Sequence, residues 1–362
     1  MEPHLFDARP HLAGLTDVAL HALLQDVVAD ATLTDARRLL AAHFARPGVA
    51  EERPRPVRRQ LREACAALVR TDALTLLEHT TDPGDGFTKY LFRSPDGAVH
   101  EAVRIPLHKP GHFTVCLSSQ VGCAMGCVFC ATGRLGLARH LAAWEIVEAF
   151  RRVRLDAPGR VSGAVFMGQG EPLHNYEAVM QAAEAIAQPF TGRLAARAIS
   201  ISTVGLVPQI RRFTAEHRPY RLIVSLTSAL DERRSELLPI NRKHDLRELM
   251  TALRELHAAT GERQTLAWVV MAGVNTGDDE VKALAELVGD LPVRLNLIDV
   301  NDSRPDGFAR AQPDELASFR DRLQVLRQPV VRRYSGGRER HAACGMLAAT
   351  RWERAPGDVA VE

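Results

Sequence analysis

The sequence predicts an α/β protein whose core is a parallel sheet, preceded by a small helical region and a β-hairpin. Three patterns carry this prediction. Six short β-rich runs alternate with amphipathic segments from residue 113 onward. Apolar residues recur at helical spacing near the N-terminus. Two strand-like runs flank a Ser-Pro-Asp-Gly turn at residues 94–97.

Taken in order, residues 15–28 and 57–70 each present one apolar helical face, and Pro47, Gly48, Pro54 and Pro56 break the chain between them. Residues 1–85 are therefore read as a helical N-terminal domain. Residues 87–93 and 98–105 form the predicted hairpin inside a connecting region, 86–112. The six β-rich runs follow at residues 114–119, 161–168, 197–203, 221–228, 264–271 and 293–299. Amphipathic stretches separate them at 142–153, 176–187, 206–216, 245–259 and 278–288, and one at 313–326 follows the last. In the first stretch Ala143, Ile146, Val147, Phe150 and Val153 share a face. Six β-then-α units imply right-handed crossovers in an open sheet or in a full or partial barrel. In either case ligands gather at the carboxyl ends of the strands. The core is bounded at 113–350, with a tail at 351–362.

Composition excludes several classes. The hydrophobic fraction is 46% and no apolar run approaches the roughly 18 residues of a membrane span. The first residues lack a basic segment followed by an apolar one, so no secretory signal is read and a cytoplasmic protein is expected. Net charge is only +2, yet residues 318–354 hold nine arginines against Asp321, Glu339 and Glu353. Residues 53–70 are a second arginine-rich stretch. Such runs are often solvated faces, but arginine also suits phosphate contacts.

Four of the six cysteines fall between 116 and 130. Cys123, Cys127 and Cys130 form a CxxxCxxC loop directly after the first strand, with Phe129 before the last. Thiolates favour iron–sulfur clusters, zinc or copper(I). Structural zinc and a fully ligated cubane each take four protein ligands, whereas three leave one position open. Zinc with a distant fourth ligand such as Cys344 or a histidine, and unligated core cysteines, are the other readings. Cys65 reads as a small core residue.

The cysteine loop resembles the cluster motif of the radical S-adenosylmethionine (SAM) superfamily. That resemblance implies a [4Fe-4S] cluster with three cysteine ligands and one open iron that chelates SAM. One-electron reduction then cleaves SAM to a 5′-deoxyadenosyl radical. Residues 116–136, 166–176 (FMGQGEPLHNY), 201–210 (ISTVGLVPQI), 237–244 (LLPINRKH) and 342–347 (AACGML) narrow the match to the RlmN/Cfr family of RNA adenine C-methyltransferases. The resemblance runs from about residue 89 to 347. It implies a partial (βα)6-type radical SAM barrel. It also implies SAM contacts at Gly170, Glu171, Ser202, Ser225, Leu226, Thr227 and Asn301.

In that family a methyl first moves from one SAM to a cysteine, here matched by Cys344. Glu101 matches the proton acceptor, and Cys116 matches the cysteine that forms a transient disulfide with Cys344. The product is an adenosine methylated at C2 or C8 in rRNA or tRNA. An electron donor such as flavodoxin or ferredoxin and a monomeric chain are the other expectations on partners, and the arginine-rich stretches would hold RNA. The match departs where Ser-Leu-His is replaced by Ser225-Leu226-Thr227, where Pro-Trp-Asn-Pro is replaced by Asp299-Val300-Asn301-Asp302, and in Gly336–His341, commonly rich in aspartate. A radical SAM methylase of a small molecule or peptide, and a non-catalytic zinc- and RNA-binding protein, are the alternatives.

Overall fold

The computed structural model describes residues 9–49, 52–71, 74–302, 304, 306–333 and 336–347. The proposed tail at 351–362 lies outside them. Helices α1 (Asp17–Gln25), α2 (Leu33–Phe44) and α3 (Arg59–Leu68) come first. Thr16 caps α1 by accepting from the Ala19 N–H, and Thr32 with Asp35 forms a capping box on α2. The three helices close on a small core of their own that includes Leu20, Leu24, Leu40, Leu61 and Cys65. Burying each such leucine contributes about 1.5–3 kcal/mol.

The helical region ends at Leu68. Thr75–Thr81 forms strand β1, which corrects the reading of residues 1–85 as helical throughout. The reason is that β1 is an edge strand with little burial, so it carries no alternating apolar signal; its threonines favour extended backbone. Strand β2 (Thr88–Arg93) and strand β3 (Val99–Pro106) make the expected hairpin, closed by the Gly97 N–H donating to the Ser94 carbonyl. Strand β4 (His112–Leu117) is antiparallel to β3 and parallel to β7 (Arg160–Phe166).

From there every neighbour is parallel: β8 (Ile199–Thr203), β9 (Arg221–Ser225), β10 (Gln264–Val270), β11 (Val293–Asp299) and β12 (Val330–Arg333). The six expected β-rich runs are all strands of this sheet, and β12 extends it. A separate two-stranded ribbon pairs β5 (Gln120–Cys123) with β6 (Gly136–His140). Helices α5 (Ala143–Asp156), α6 (Tyr176–Ala187), α7 (Val207–Ala215), α9 (Leu246–Thr260), α10 (Asp278–Val288) and α11 (Pro313–Arg322) match the amphipathic stretches. The short helices α4 (Ala131–Leu135) and α8 (Asp231–Leu237) are additional. All five residues of the α5 apolar face are buried.

The sheet order is β1-β2-β3-β4-β7-β8-β9-β10-β11-β12, with β1 and β12 as its two edges. In a flat sheet β7 and β12, five strands apart, would lie about 24 Å from each other. Instead Arg333 Nη1 on β12 lies 3.0 Å from the sulfur of Met167, just past β7. The sheet therefore curls into an open barrel. Residues 336–347 lie across its open side: the Gly337 N–H donates to Asp85 Oδ2 at 2.7 Å, and Ala342 and Leu347 pack with Phe87, Val103 and Cys116. The helical domain is fastened to α5, where Arg154 donates to the Phe44 carbonyl and Arg151 to that of His43. No helix among the described residues is long and apolar enough to cross a membrane.

Two buried histidines make the fold acid-sensitive. His11, stacked on Trp144, and His100, beside Phe92, are each pulled from 6.5 down to about 4, chiefly by burial. A base whose folded value is depressed gives stability that is complete above 6.5 and is lost as pH falls from 6.5 towards about 4. Each histidine accounts for about 3 kcal/mol over that window. Thermal melts of the cluster-free protein should therefore fall between pH 7 and pH 5, and His100→Leu should fall less. Equal losses in the two proteins would refute the assignment.

Candidate active site

The three-cysteine loop is carried between two short elements. Cys123 ends β5, Cys127 lies in the loop, and Cys130 is the N-cap residue of α4. The Cys130 N–H donates to the Cys127 carbonyl and the Val128 N–H to Leu237 at the end of α8. All three cysteines line one cavity that opens to solvent. It lies at the carboxyl ends of the parallel strands, where the topology places ligands. Gly170, Glu171, Ser202, Ser225, Asn301 and Cys344 line the same cavity.

Each lining residue arrives by a simple local route. Ser202 and Ser225 sit at the ends of β8 and β9. Gly170 has φ +100°, and a Cβ there would stand 2.6 Å from the Gln120 Cβ, so only glycine fits. Glu171 follows it, almost wholly buried, and accepts from the N–H groups of Leu173 at 3.0 Å and Val204 at 2.9 Å. Burial pushes its carboxyl up to about 7 despite those donors. Burial likewise pushes Cys123 up to about 12 and Cys127 well above its ordinary value. Metal binding must therefore expel protons from these thiols. Among the described residues no three Cys, His, Asp or Glu side chains gather as ligands of a single ion would. A cubane does not require that, because its thiolates bind separate iron corners. Three soft donors on one buried loop fit such a cluster.

Cys344 joins this cavity to a second one. The neighbouring recess is lined by Cys116, Phe87, Val165, Met167, Arg333 and Cys344 among others. Cys344 is accessible because it faces both cavities, yet protein surrounds it, and the desolvation raises its thiol pKa while Arg333 opposes the rise. Cys116 is buried and pushed up to about 12, and its charge interacts with that of Cys344. Both are free thiols in this structure, so the disulfide expected between them is not formed here. The Cys344 segment is tied to the cluster loop: the Ala131 N–H donates to the Gly345 carbonyl at 2.8 Å and Thr132 Oγ1 to that of Leu347 at 2.5 Å.

Glu101 lines neither cavity. It lies on β3 two residues from Val103, whose cross-strand partner is Cys116, so Glu101 and Cys116 occupy the same face of the sheet. Lys89 Nζ is 3.2 Å from Glu101 Oε1. Two residues expected to contact SAM do not line the cavity. Leu226 is fully buried in the main core, and Thr227 is fully buried with φ +63°, its carbonyl held by Asn275. Ser225 faces the cavity, so alternation turns Leu226 to the helices; Thr227 departs from alternation because its left-handed backbone turns the chain at the strand end, where its N–H and that of Leu226 both donate to the Ala267 carbonyl. Asn301 lines the cavity, and its amide also donates to the Cys344 carbonyl at 3.2 Å.

Sequence reading missed Lys89, Arg333 and Gln120. Lys89 was accessible in principle, because the hairpin register sets it opposite Val103 and beside Glu101. Gln120 bonds the Glu171 N–H through Oε1 and lies between His140 and His174, a convergence no spacing reveals.

Comparison with known proteins agrees with this architecture. Residues 117–288 match the model of the radical SAM superfamily. A probable RNA methyltransferase of Anaeromyxobacter sp. (strain Fw109-5) is 50% identical over 91% of this chain and 99% of its own length. A dual-specificity RNA methyltransferase RlmN of Anaeromyxobacter dehalogenans (strain 2CP-C) is 39% identical over 83% of this chain and 82% of its own. The crystal structure of a radical SAM methyltransferase from Sphaerobacter thermophilus superposes with a TM-score of 0.83 at 36% identity, covering 94% of this chain and 99% of that one. Radical SAM enzymes carry a [4Fe-4S] cluster and use SAM. The chain belongs to the radical SAM superfamily and, within it, to the RlmN-like RNA methyltransferases.

Proposed function

We propose that the protein methylates a carbon of an RNA adenine, C2 or C8, through an S-methylcysteine at Cys344. The observation that carries this reading is the position of Cys344, which faces both the cavity of the three-cysteine loop and the recess that holds Cys116. Cys123, Cys127 and Cys130 would hold the cluster. Gly170, Glu171, Ser202, Ser225 and Asn301 would border SAM, Glu171 as the acceptor for its ammonium group. The bound cluster supplies the electron that turns SAM into a source of a hydrogen-abstracting carbon radical.

The remaining work falls to the chain's own residues. The Cys344 thiolate takes a methyl from one SAM, a displacement suited to sulfur. Hydrogen is then drawn from that methyl, and the methylene joins the adenine carbon in the Phe87-lined recess. The ring radical so formed gives up one electron, which the cluster would take back, and Glu101, oriented by Lys89, takes the proton displaced from the ring carbon. Cys116 gives up its proton and attacks the Cys344 sulfur, forming the S–S bond as the carbon–sulfur bond breaks; that bond's electron pair stays on the methylene carbon, which takes up the proton and leaves as the methyl group of the released base. Asn301 and the two hydrogen bonds from α4, one from the Ala131 N–H and one from the Thr132 hydroxyl, hold Cys344 between the two cavities. An external low-potential protein supplies electrons and restores the thiols, and the protein acts as a monomer in the cytoplasm.

The arginine-rich segments favour RNA over a metabolite or peptide, since neutralising phosphates is their natural use. Nucleoside mass spectrometry of rRNA and tRNA, with and without the protein, tests the proposal. A methylated adenosine with a carbon-bound methyl that depends on the protein is the expected result. RNA unchanged in its adenosines, with a methylated metabolite instead, would overturn it.

A further inference from the structure

Arg234 is fully buried on α8, its charge within reach of Cys127 in the cysteine loop, and its guanidinium hydrogen-bonds to no carboxylate among the described residues. Its guanidinium is satisfied by neutral acceptors. Nε donates to the Leu226 carbonyl at 3.1 Å, Nη1 to Asn241 Oδ1 at 2.7 Å, and Nη2 to the carbonyls of Val204 at 2.8 Å and Ser225 at 3.1 Å. Asp231 reaches it only through the Asn241 amide, which donates to Asp231 Oδ1 at 2.9 Å. Hydrogen bonds of this kind satisfy the N–H groups but leave the charge itself uncompensated, which is costly away from water. Cys127 and Asp231 are the negative groups whose charges reach it, and Asp231 is exposed to solvent, so the buried cation favours a further anion on the Cys127 side.

The surroundings indicate where that anion lies. Beyond Leu237, the end of α8 meets the cysteine loop: the Val128 N–H donates to the Leu237 carbonyl, and Pro239 packs on Gly126. Arg234 and Cys127 are close enough for their charges to interact, and burial lowers Arg234 to about 10. The Val204 peptide whose carbonyl accepts from Arg234 also donates its N–H to Glu171 Oε2. The guanidinium thus stands behind the carboxyl ends of β8 and β9, on the protein side of the cavity. Asn241, which orients it, belongs to the LLPINRKH stretch, to which the reaction assigns no other task.

We propose that Arg234 is the internal counter-charge of the iron–sulfur cluster and sets its reduction potential. Reduction transfers one electron from the donor to the cluster and adds one negative charge beside the guanidinium. A fixed, water-excluded cation favours that more negative state, so it raises the potential and brings the cluster within reach of a physiological donor. Arg234 is a positioning residue, since it touches neither substrate nor SAM. The inference rests on the proposed function only for the identity of the cluster; it needs no RNA and no methyl transfer.

The test is a redox titration with dithionite of the anaerobically reconstituted full-length protein, followed by electron paramagnetic resonance. Arg234→Gln should move the midpoint to more negative values, with the reduced-to-oxidised ratio at a fixed potential falling at least tenfold, about 59 mV for a one-electron couple. Arg234→Lys, which keeps the charge but loses the fork of donors, should recover most of that shift. Asp231→Asn preserves Arg234 and removes the negative charge behind it, so it should move the midpoint the other way, and it stands as the test if the glutamine variant does not fold. Equal shifts in the glutamine and lysine variants would make the role one of shape and overturn the proposal. An unchanged midpoint in Asp231→Asn would also overturn it.

Discussion

Cys344→Ala protein should form its cluster and cleave SAM under reducing conditions but transfer no methyl group to RNA. The reason is geometric and chemical together. Cys344 faces the cavity of the three-cysteine loop on one side and the Cys116 recess on the other. Among the described residues it is the one cysteine common to both. An unactivated adenine carbon is a poor nucleophile towards SAM, so loss of the sulfur relay removes the route rather than slowing it. Loss of a nucleophile from a covalent mechanism removes most of the acceleration, on the order of 10⁴-fold or more. Retained methylation would sink the scheme. Cleavage of SAM in the variant shows that the loop of Cys123, Cys127 and Cys130 still works.

Cys116→Ala should behave differently, and the contrast is the sharper test. In the proposed scheme methyl loading of Cys344 and addition to the base do not need Cys116, whereas release does. The variant should therefore accumulate RNA covalently bound through Cys344, seen as a band that survives denaturation and disappears on nuclease treatment. Turnover should fall to the level of a single event per chain. Free turnover without an adduct would show that the base leaves by another path. Burial pushes Cys116 up to about 12, so at neutral pH it is a thiol in the resting enzyme. Arg333, which lines the recess, pulls the same group down, and this favours the thiolate needed for attack. Release should consequently quicken as pH rises.

Much of this architecture was legible from residues alone, and the exceptions have physical causes. The six strands that form the barrel wall are apolar and mostly buried, so their pattern is strong. Strand β12 was missed because Val330–Arg333 is a short, largely exposed edge bearing two arginines. The β5–β6 ribbon was missed because its strands pair across the cysteine loop rather than across a tight turn. The cysteine triad stood out through spacing. That Cys116 and Cys344, far apart in sequence, line one recess came from family resemblance, because no local pattern encodes such a meeting. Leu226 and Thr227 do not line the cavity, because alternation turns Leu226 into the core and the left-handed backbone at Thr227 ends the strand pattern, neither of which the motif itself reveals. Arg234 sits in a charged segment, Asp231–Leu237, in which no spacing marks it out, and only its burial distinguishes it.

The central claim is that the methyl passes through Cys344. The most direct measurement is peptide mass spectrometry of protein incubated with deuteromethyl-SAM, before and after adding RNA and reductant. The account predicts a labelled methyl on the Cys344 peptide that disappears as label enters the adenine carbon. A Cys344 peptide never labelled while the RNA acquires the methyl would contradict it.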